Sequence, residues 1–425
     1  MALVGLSFHN YKAFPGRERI ALRPLTVLIG RNSSGKSAIA RLPLLLASSF
    51  SERAQAPLDL EIEGVDLGGS FLDLVHNRRP HGHVELGATF ERGGKCIEFE
   101  ARIQDYTDQS LQVVDRWRLR VVGEREWVLK RTSEDPMESP TRFRLDVDGQ
   151  QTSDTSLDFA GLQIKAPFDE RLFSRPQLME LLPWEMAVHM ELSDVMYLGP
   201  FRDAPRRLNP IPGGLPQDVG RSGKRAAAML GADARRKGGL IAREVGAWYR
   251  DHLGGFVLDV AIQGESFSLV LRSPDDPAVQ INLVDAGTGL SQVLPIIVQR
   301  IFEARTGKFG SLEISEQPEL HLHPAAHGDL ADLYITAARD LGVRFLIETH
   351  SENFILRMRR RVAEGKLDPR LIAIYWIDDR HRPGSRIVPI EILPDGEVDH
   401  WPEGVFSEDF DELIAIRDAQ RRRGA

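Results

Sequence analysis

The chain has one cysteine, Cys96, in 425 residues, so no disulfide can form within it and a reducing compartment suits it. Long apolar runs are missing too: no stretch approaches the ~20 residues that cross a bilayer. The opening residues Met1-Ala2-Leu3-Val4-Gly5-Leu6-Ser7 lack the basic and apolar regions of a secretion signal. These absences predict a cytoplasmic protein with no membrane partner. Positive charge is in short supply, 54 Lys/Arg against 62 Asp/Glu, so the net charge of −8 gives no overall sign of nucleic-acid binding. Internal repeats, low-complexity tracts and sustained heptads are lacking as well, which excludes solenoids and long coiled coils.

What is present is ordinary in bulk and specific in one place. At 42% hydrophobic and 27% charged, the chain has the composition of a globular protein of two or three domains. The specific feature is Gly30-Arg31-Asn32-Ser33-Ser34-Gly35-Lys36-Ser37, which fits the phosphate-binding pattern G-x-x-x-x-G-K-[ST] without a mismatch. Its glycines let backbone N–H groups curl around phosphate oxygens, Lys36 can reach the β- and γ-phosphates, and the Ser37 hydroxyl can hold Mg²⁺. The ligand class is therefore ATP or a similar triphosphate with Mg²⁺. The flanks agree: the apolar run Leu25–Ile29 reads as a buried parallel strand, and residues 38–47 read as a helix that Pro43 should kink.

Four blocks are expected along the chain. Residues 1–80 read as strands, the phosphate loop and its helix. Residues 81–170 alternate apolar and polar, with Gly93-Gly94 and Asp148-Gly149 as hairpin turns, and predict an antiparallel β insertion. Residues 171–275 read as a mostly helical, basic insertion; within 200–250 there are 11 Lys/Arg against four acids. From 276 the α/β pattern returns, with a strand around Leu312 and Ile314, an amphipathic helix over 324–341 and a strand at 343–348. The fold class expected is α/β, with a core opened at residues 3–50 and completed after 280.

A phosphate loop needs a carboxylate at a neighbouring strand end to hold Mg²⁺ or its waters. Glu316 is the candidate. One strand later His350 could touch a γ-phosphate. Upstream, the Gly/Ser turn with Gly287, Gly289 and Ser291 opens an apolar helix whose N-terminus suits an anion. Singly each has a plainer reading: histidines can merely make turns, and two glycines are weak evidence. Their order along the chain gives them weight together.

The segments GRNSSGKS, GTGLSQVLP, EQPELHLHP and ETHSEN resemble the Walker A, signature, Walker B and switch-histidine segments of ABC-type ATPases of the RecF/OLD-like group, which includes SMC heads. More closely, the chain is similar to prokaryotic AAA family ATPases with an uncharacterised C-terminal domain, through 197–202 (YLGPFR) and 401–406 (WPEGVF) as well. The resemblance covers both ends well and the middle loosely. It implies a P-loop ATPase head that forms a homodimer, two ATPs being sandwiched so that Gly289 and Ser291 of one copy face the γ-phosphate held by the other. It also implies an effector partner, a nuclease or other protein, in antiphage defence. The alternative is a RecF-like repair ATPase binding DNA through Arg202, Arg206, Arg207, Arg221, Lys224, Arg225, Arg235, Arg236 and Lys237. A transporter ATPase fits less well at the signature and Walker B segments. Family members usually place a catalytic glutamate directly after the Mg²⁺ carboxylate; here that position is Gln317, which can orient water but cannot take its proton. Glu319 is the fallback base. Slow hydrolysis and a long-lived ATP-bound dimer are expected. Only 73 residues follow Glu352, fewer than a Toprim nuclease domain needs.

Overall fold

The computed structural model describes residues 1–133, 141–165, 176–236, 238–276, 278–380, 383–402, 406 and 408–423. Apolar strands without alternation need cover on both faces, and that is how the central sheet is built. Six strands align in the order Val195–Leu198, Leu312–Glu316, Phe345–Glu348, Leu25–Gly30, Ile372–Asp378, Arg386–Ile390. The first five run parallel and the sixth pairs antiparallel at the edge. Alternate side chains divide between two cores. Leu25, Val27, Ile29, Phe345, Ile347, Ile372, Ile374 and Trp376 pack with the helices Thr288–Thr306, Pro324–Thr336 and Glu352–Ala363. Leu28, Leu312, Ile314, Leu346, Ala373, Tyr375 and Ile377 face a second core shared with an antiparallel sheet.

That second sheet has eight strands: Gln150–Ser156, Arg142–Val147, Arg125–Arg131, Leu111–Val121, Lys95–Tyr106, His83–Arg92, Ala2–His9 and Glu18–Ala21. Its hairpins turn at Gly93-Gly94, with φ 56° and 79°, and at Asp148-Gly149, with φ 53° and 83°. Positive φ at both central residues is what tight hairpins with the right-handed strand twist require. The first two strands of the chain belong to this sheet, so the division expected at residue 80 runs through it; alternation reveals strands but not their partners.

The block 171–275 also departs from its expected helical character. Helices do form at Pro176–Ser193, Ala226–Arg236 and Leu240–His252. Val195–Leu198, however, is an edge strand of the central sheet, paired in parallel with Leu312–Glu316. Val257–Gln263 and Ser266–Arg272 form a hairpin that turns at Gly264, φ 61°. Four-residue apolar runs look alike in buried helices and strands, and tertiary pairing decides between them.

The polar residues in the strand Leu312–Glu316 are matched from the helix behind it. Arg300, 4% exposed, pairs with Glu313 and with Glu303, and its guanidinium lies 4.9 Å from the Phe345 ring centroid. Ser315 Oγ donates to Glu313 at 3.3 Å and accepts from the Tyr334 hydroxyl at 2.9 Å. Burial pushes the Glu303 carboxyl up to about 7; the Arg300 charge opposes the shift and the nearby Glu313 adds to it. One arginine thus serves two buried carboxylates, and the network sets the register of the strand that ends in Glu316. Arg300→Ala is expected to cost about 3–5 kcal/mol, the range for stranding buried charges, read as a lowered urea midpoint. A loss below about 1 kcal/mol would show that the network does not carry the register.

Candidate nucleotide-binding site

The phosphate loop leaves the carboxyl end of Leu25–Gly30 and enters the helix Lys36–Ala40, followed by a second helical segment, Leu42–Ser49, with Pro43 in its first turn. Gly30, Ser33 and Gly35 have φ of 157°, 64° and 108°. A Cβ on Gly35 would sit 2.9 Å from the Phe14 ring, and one on Gly30 would sit 2.8 Å from both Ile377 O and Ser34 Oγ, so neither position has room for a side chain. Ser385 Oγ donates to Ser34 O at 2.7 Å and pins the loop from outside. Lys36 is 3% exposed and donates to Gly30 O at 3.0 Å and Arg31 O at 2.7 Å. Burial lowers its pKa, against the fields of Glu348 and Asp379. Asp379 therefore lies within electrostatic reach of Lys36.

Parallel strands bring their carboxyl ends to the same edge, where ligands bind in open α/β sheets. Here Glu316 and Glu348 stand opposite each other in register, and Glu348 is level with Leu28 of the loop's strand. Glu348 is 3% exposed. Burial, then repulsion from Glu316, pushes its carboxyl up to about 7, opposed by a hydrogen bond with the Ser37 side chain and by Lys36 and Arg41. Its Oε2 has no hydrogen-bond partner among the described residues. A hydroxyl, a carboxylate and an unpartnered buried oxygen are hard oxygen donors that suit Mg²⁺. Glu316 is engaged differently from expectation: Arg41 binds both its oxygens, at 2.6 and 2.7 Å.

Beyond Glu316 the chain makes a tight turn. Gln317 has φ 45° and donates its N–H to Glu348 O at 2.7 Å. Positive φ is unusual for such a side chain and concentrates at functional turns. Glu319, 7% exposed, accepts from the Thr349 hydroxyl and the His350 N–H, each at 2.8 Å, while its Oε2 has no partner among the described residues. One oxygen of the fallback base is thus committed to positioning His350. The His350 ring reaches solvent on one side, yet its pKa is pushed down to about 4, first by desolvation on the enclosed side and then by Lys36.

Arg202 holds this turn from beneath. It is 4% exposed and donates to Glu316 O and Gln317 O at 3.1 Å and to Gln292 O at 3.3 Å, while its own N–H donates to Gln292 Oε1 at 3.0 Å. Gln292 belongs to the helix Thr288–Thr306, so one guanidinium joins the carboxylate turn to the start of that helix. Gly289 packs there so closely that a Cβ would lie 2.2 Å from His321 O. Ser291 is 6% exposed and donates to Thr288 O at 2.9 Å, turned inward rather than presented to a partner; the exposed residues at this helix start are Gly287 and Thr288. A hydroxyl four residues into a helix readily bonds back to the preceding turn, and the motif's spacing does not reveal this.

The basic surplus is largely spoken for. Arg202 is buried, Arg207 pairs with Asp285, Arg221 with Glu63, Arg225 with Asp218 and Arg235 with Glu265. Arg236 donates to Gly213 O, and Arg206 and Lys224 are exposed. Lys237, and Glu403, Gly404 and Val405 of the segment at 401–406, lie outside the described residues. Two residues of the site escaped the sequence, each with a signal there: Glu348 is a charge ending an apolar strand, and Arg41 is the lone charge between Ala38 and Leu46. The sequence offers Arg202 only as a DNA contact, and nothing local marks it as the support of the turn.

No protein-family model matches the chain, and no curated protein matches it. Among solved structures it is similar to the SMC head domain from Thermotoga maritima, with 12% identity over 92% of this chain and 100% of that one, TM-score 0.43. It is also similar to an SMC head bound to the C-terminal winged-helix domain of ScpA, with 13% identity, 92% and 98% coverage and TM-score 0.46. A third likeness is to an SMC head with an extended coiled coil bound to the C-terminal domain of ScpA derived from Pyrococcus furiosus, with 11% identity, 98% and 99% coverage and TM-score 0.46. The fold of this chain is mixed α/β with several sheets.

Because the fold favours the neutral His350 ring, lowering the pH protonates it in the unfolded chain first. Its contribution to stability is present above about 6.5 and fades towards 4. In an NMR titration of the nucleotide-free protein the ring should stay neutral down to about pH 4, and Lys36→Met should raise the midpoint towards the unperturbed ~6.5. A native midpoint already near ~6.5 would remove His350 from the field of Lys36.

Proposed function

We propose that this chain is an ATPase of ABC type that binds ATP with Mg²⁺, hydrolyses it slowly and uses the ATP-bound state as a conformational signal. The observation that carries the reading is the convergence of Lys36, Ser37 and Glu348 at the mouth of a loop whose glycines admit no side chain. Backbone N–H groups of residues 31–37 would take the phosphate oxygens, and Lys36 would exchange its bonds to Gly30 O and Arg31 O for the β- and γ-phosphates. Ser37 and Glu348, with Glu316 beside them, would hold Mg²⁺, which supplies neutralisation of the phosphate charge when bound.

The groups around the γ-phosphate position favour holding over turnover. Gln317 is a neutral amide and takes no proton. Glu319 has one oxygen engaged by Thr349 and His350. A neutral His350 can hydrogen-bond a phosphate oxygen but offers it no charge. The partner in this reading is a second copy of the chain, closing with Gly287, Thr288 and Gly289 of its helix start on the nucleotide. The β-rich sheet of residues 83–156 then presents a surface to an effector protein, and antiphage defence is the context the motif resemblance suggests.

Lys36→Ala is expected to abolish binding of a fluorescent ATP analogue; retention of tight binding would remove the nucleotide assignment. Gln317→Glu is expected to raise turnover by about 10²-fold or more, the scale of general-base catalysis, in a single-turnover assay. Fast turnover by the native protein would place the base elsewhere.

A further inference from the structure

The carboxylates at the loop mouth have a cation of their own. Arg41 forms two parallel hydrogen bonds to Glu316, Nε to Oε1 at 2.6 Å and Nη2 to Oε2 at 2.7 Å. Glu316 is 2% exposed and both its oxygens are used. Across from it in register, Glu348 keeps one buried oxygen with no partner among the described residues and receives a hydrogen bond from Ser37. Arg41 lies four residues after Ser37, hence on the same helix face. Its side chain is 31% exposed and has solvent to swing into. The donors of one oxygen cluster are therefore in place; Glu316 is hydrogen-bonded with the buried Tyr197 side chain and covered by Arg41, a side chain that can leave.

We infer that Arg41 is a built-in counter-ion that competes with Mg²⁺ for Glu316. The inference rests on the reading of the loop as a nucleotide site. With Arg41 on Glu316 the two facing carboxylates are partly neutralised, and the protein does not need a metal to tolerate them. A divalent ion beside Ser37 and Glu348 gives Arg41 a like-charged neighbour and favours its release from Glu316. Affinity for the free ion is thereby held down until the phosphates of a nucleotide add negative charge, so metal and nucleotide enter together rather than separately. Arg41 acts here as a positioning residue and touches no reacting atom.

The test uses Mn²⁺ titrated into the full chain without nucleotide, read by loss of the free-ion electron paramagnetic resonance signal. Arg41→Gln is expected to bind Mn²⁺ about tenfold more tightly than the native protein, the scale on which outer-sphere partners alter metal affinity. Arg41→Gln combined with Glu316→Gln should lose that gain. Should Arg41→Gln fail to fold, Arg41→Lys, which keeps the charge but not the two-pronged geometry, carries the comparison and should also bind above the native level. Equal Mn²⁺ affinity in the native protein and the folded variants would overturn the competition. A fluorescent ATP analogue offered in EDTA and in Mg²⁺ keeps the two readings apart: binding by the native protein supports the nucleotide site whatever Arg41 does, and no binding in either condition overturns the nucleotide site itself.

Discussion

A parallel sheet buried on both faces is the constraint from which the rest follows. Its strands cannot alternate polar and apolar residues, so each carries an almost continuous apolar run, and each must find cover above and below. Leu25–Gly30 sends Leu25, Val27 and Ile29 to the helices and Leu28 to the core shared with the antiparallel sheet. Because neighbouring strands point the same way, whatever ends them is gathered at one edge. That is how Gly30, Glu316 and Glu348, hundreds of residues apart in part, come to share one small volume.

Within that frame, three arginines settle charges that the strands cannot settle alone. Arg300 compensates Glu303 and Glu313 beneath the sheet. Arg202 satisfies the carbonyls of Glu316 and Gln317 and ties them to Gln292 at the helix behind. Arg41 neutralises Glu316 at the surface of the cleft. Burying a charge without a partner is costly, so each arginine also restricts where its neighbours can lie. The turn at Gln317 keeps a positive φ because Arg202 and Glu348 hold both sides of its backbone.

Much of this was legible before the structure. The phosphate loop is contiguous, and its backbone demands are spelled out by glycines that no other residue can replace. The strands of the antiparallel sheet announce themselves by period-two alternation, and their turns by Gly93-Gly94 and Asp148-Gly149. Glu316, Gln317, Glu319 and His350 lie on one edge with the loop because they end or follow adjacent strands. The basic stretch at 200–250 carries less free charge than its count for a physical reason: charge counted along a chain ignores acids supplied from elsewhere, such as Glu63, Glu265 and Asp285. The inward turn of the Ser291 hydroxyl was equally hidden, since a motif does not say which way a hydroxyl points.

Residue order along the chain was enough for what depends on neighbours: the conformation of residues 30–37, the alternation of the strands, the helix break at Arg41 just ahead of Pro43 and the neutral amide at 317. Tertiary structure alone decided what depends on pairing across distance. It placed Val195–Leu198 in the central sheet, gave Arg41 to Glu316, brought Glu348 to Ser37 and buried Arg202 under the turn. Local backbone preferences act over a few residues and can be read from composition and spacing. Ion pairs and strand partners are chosen by burial, where the cost of an unmatched group selects the one arrangement in which each finds its partner.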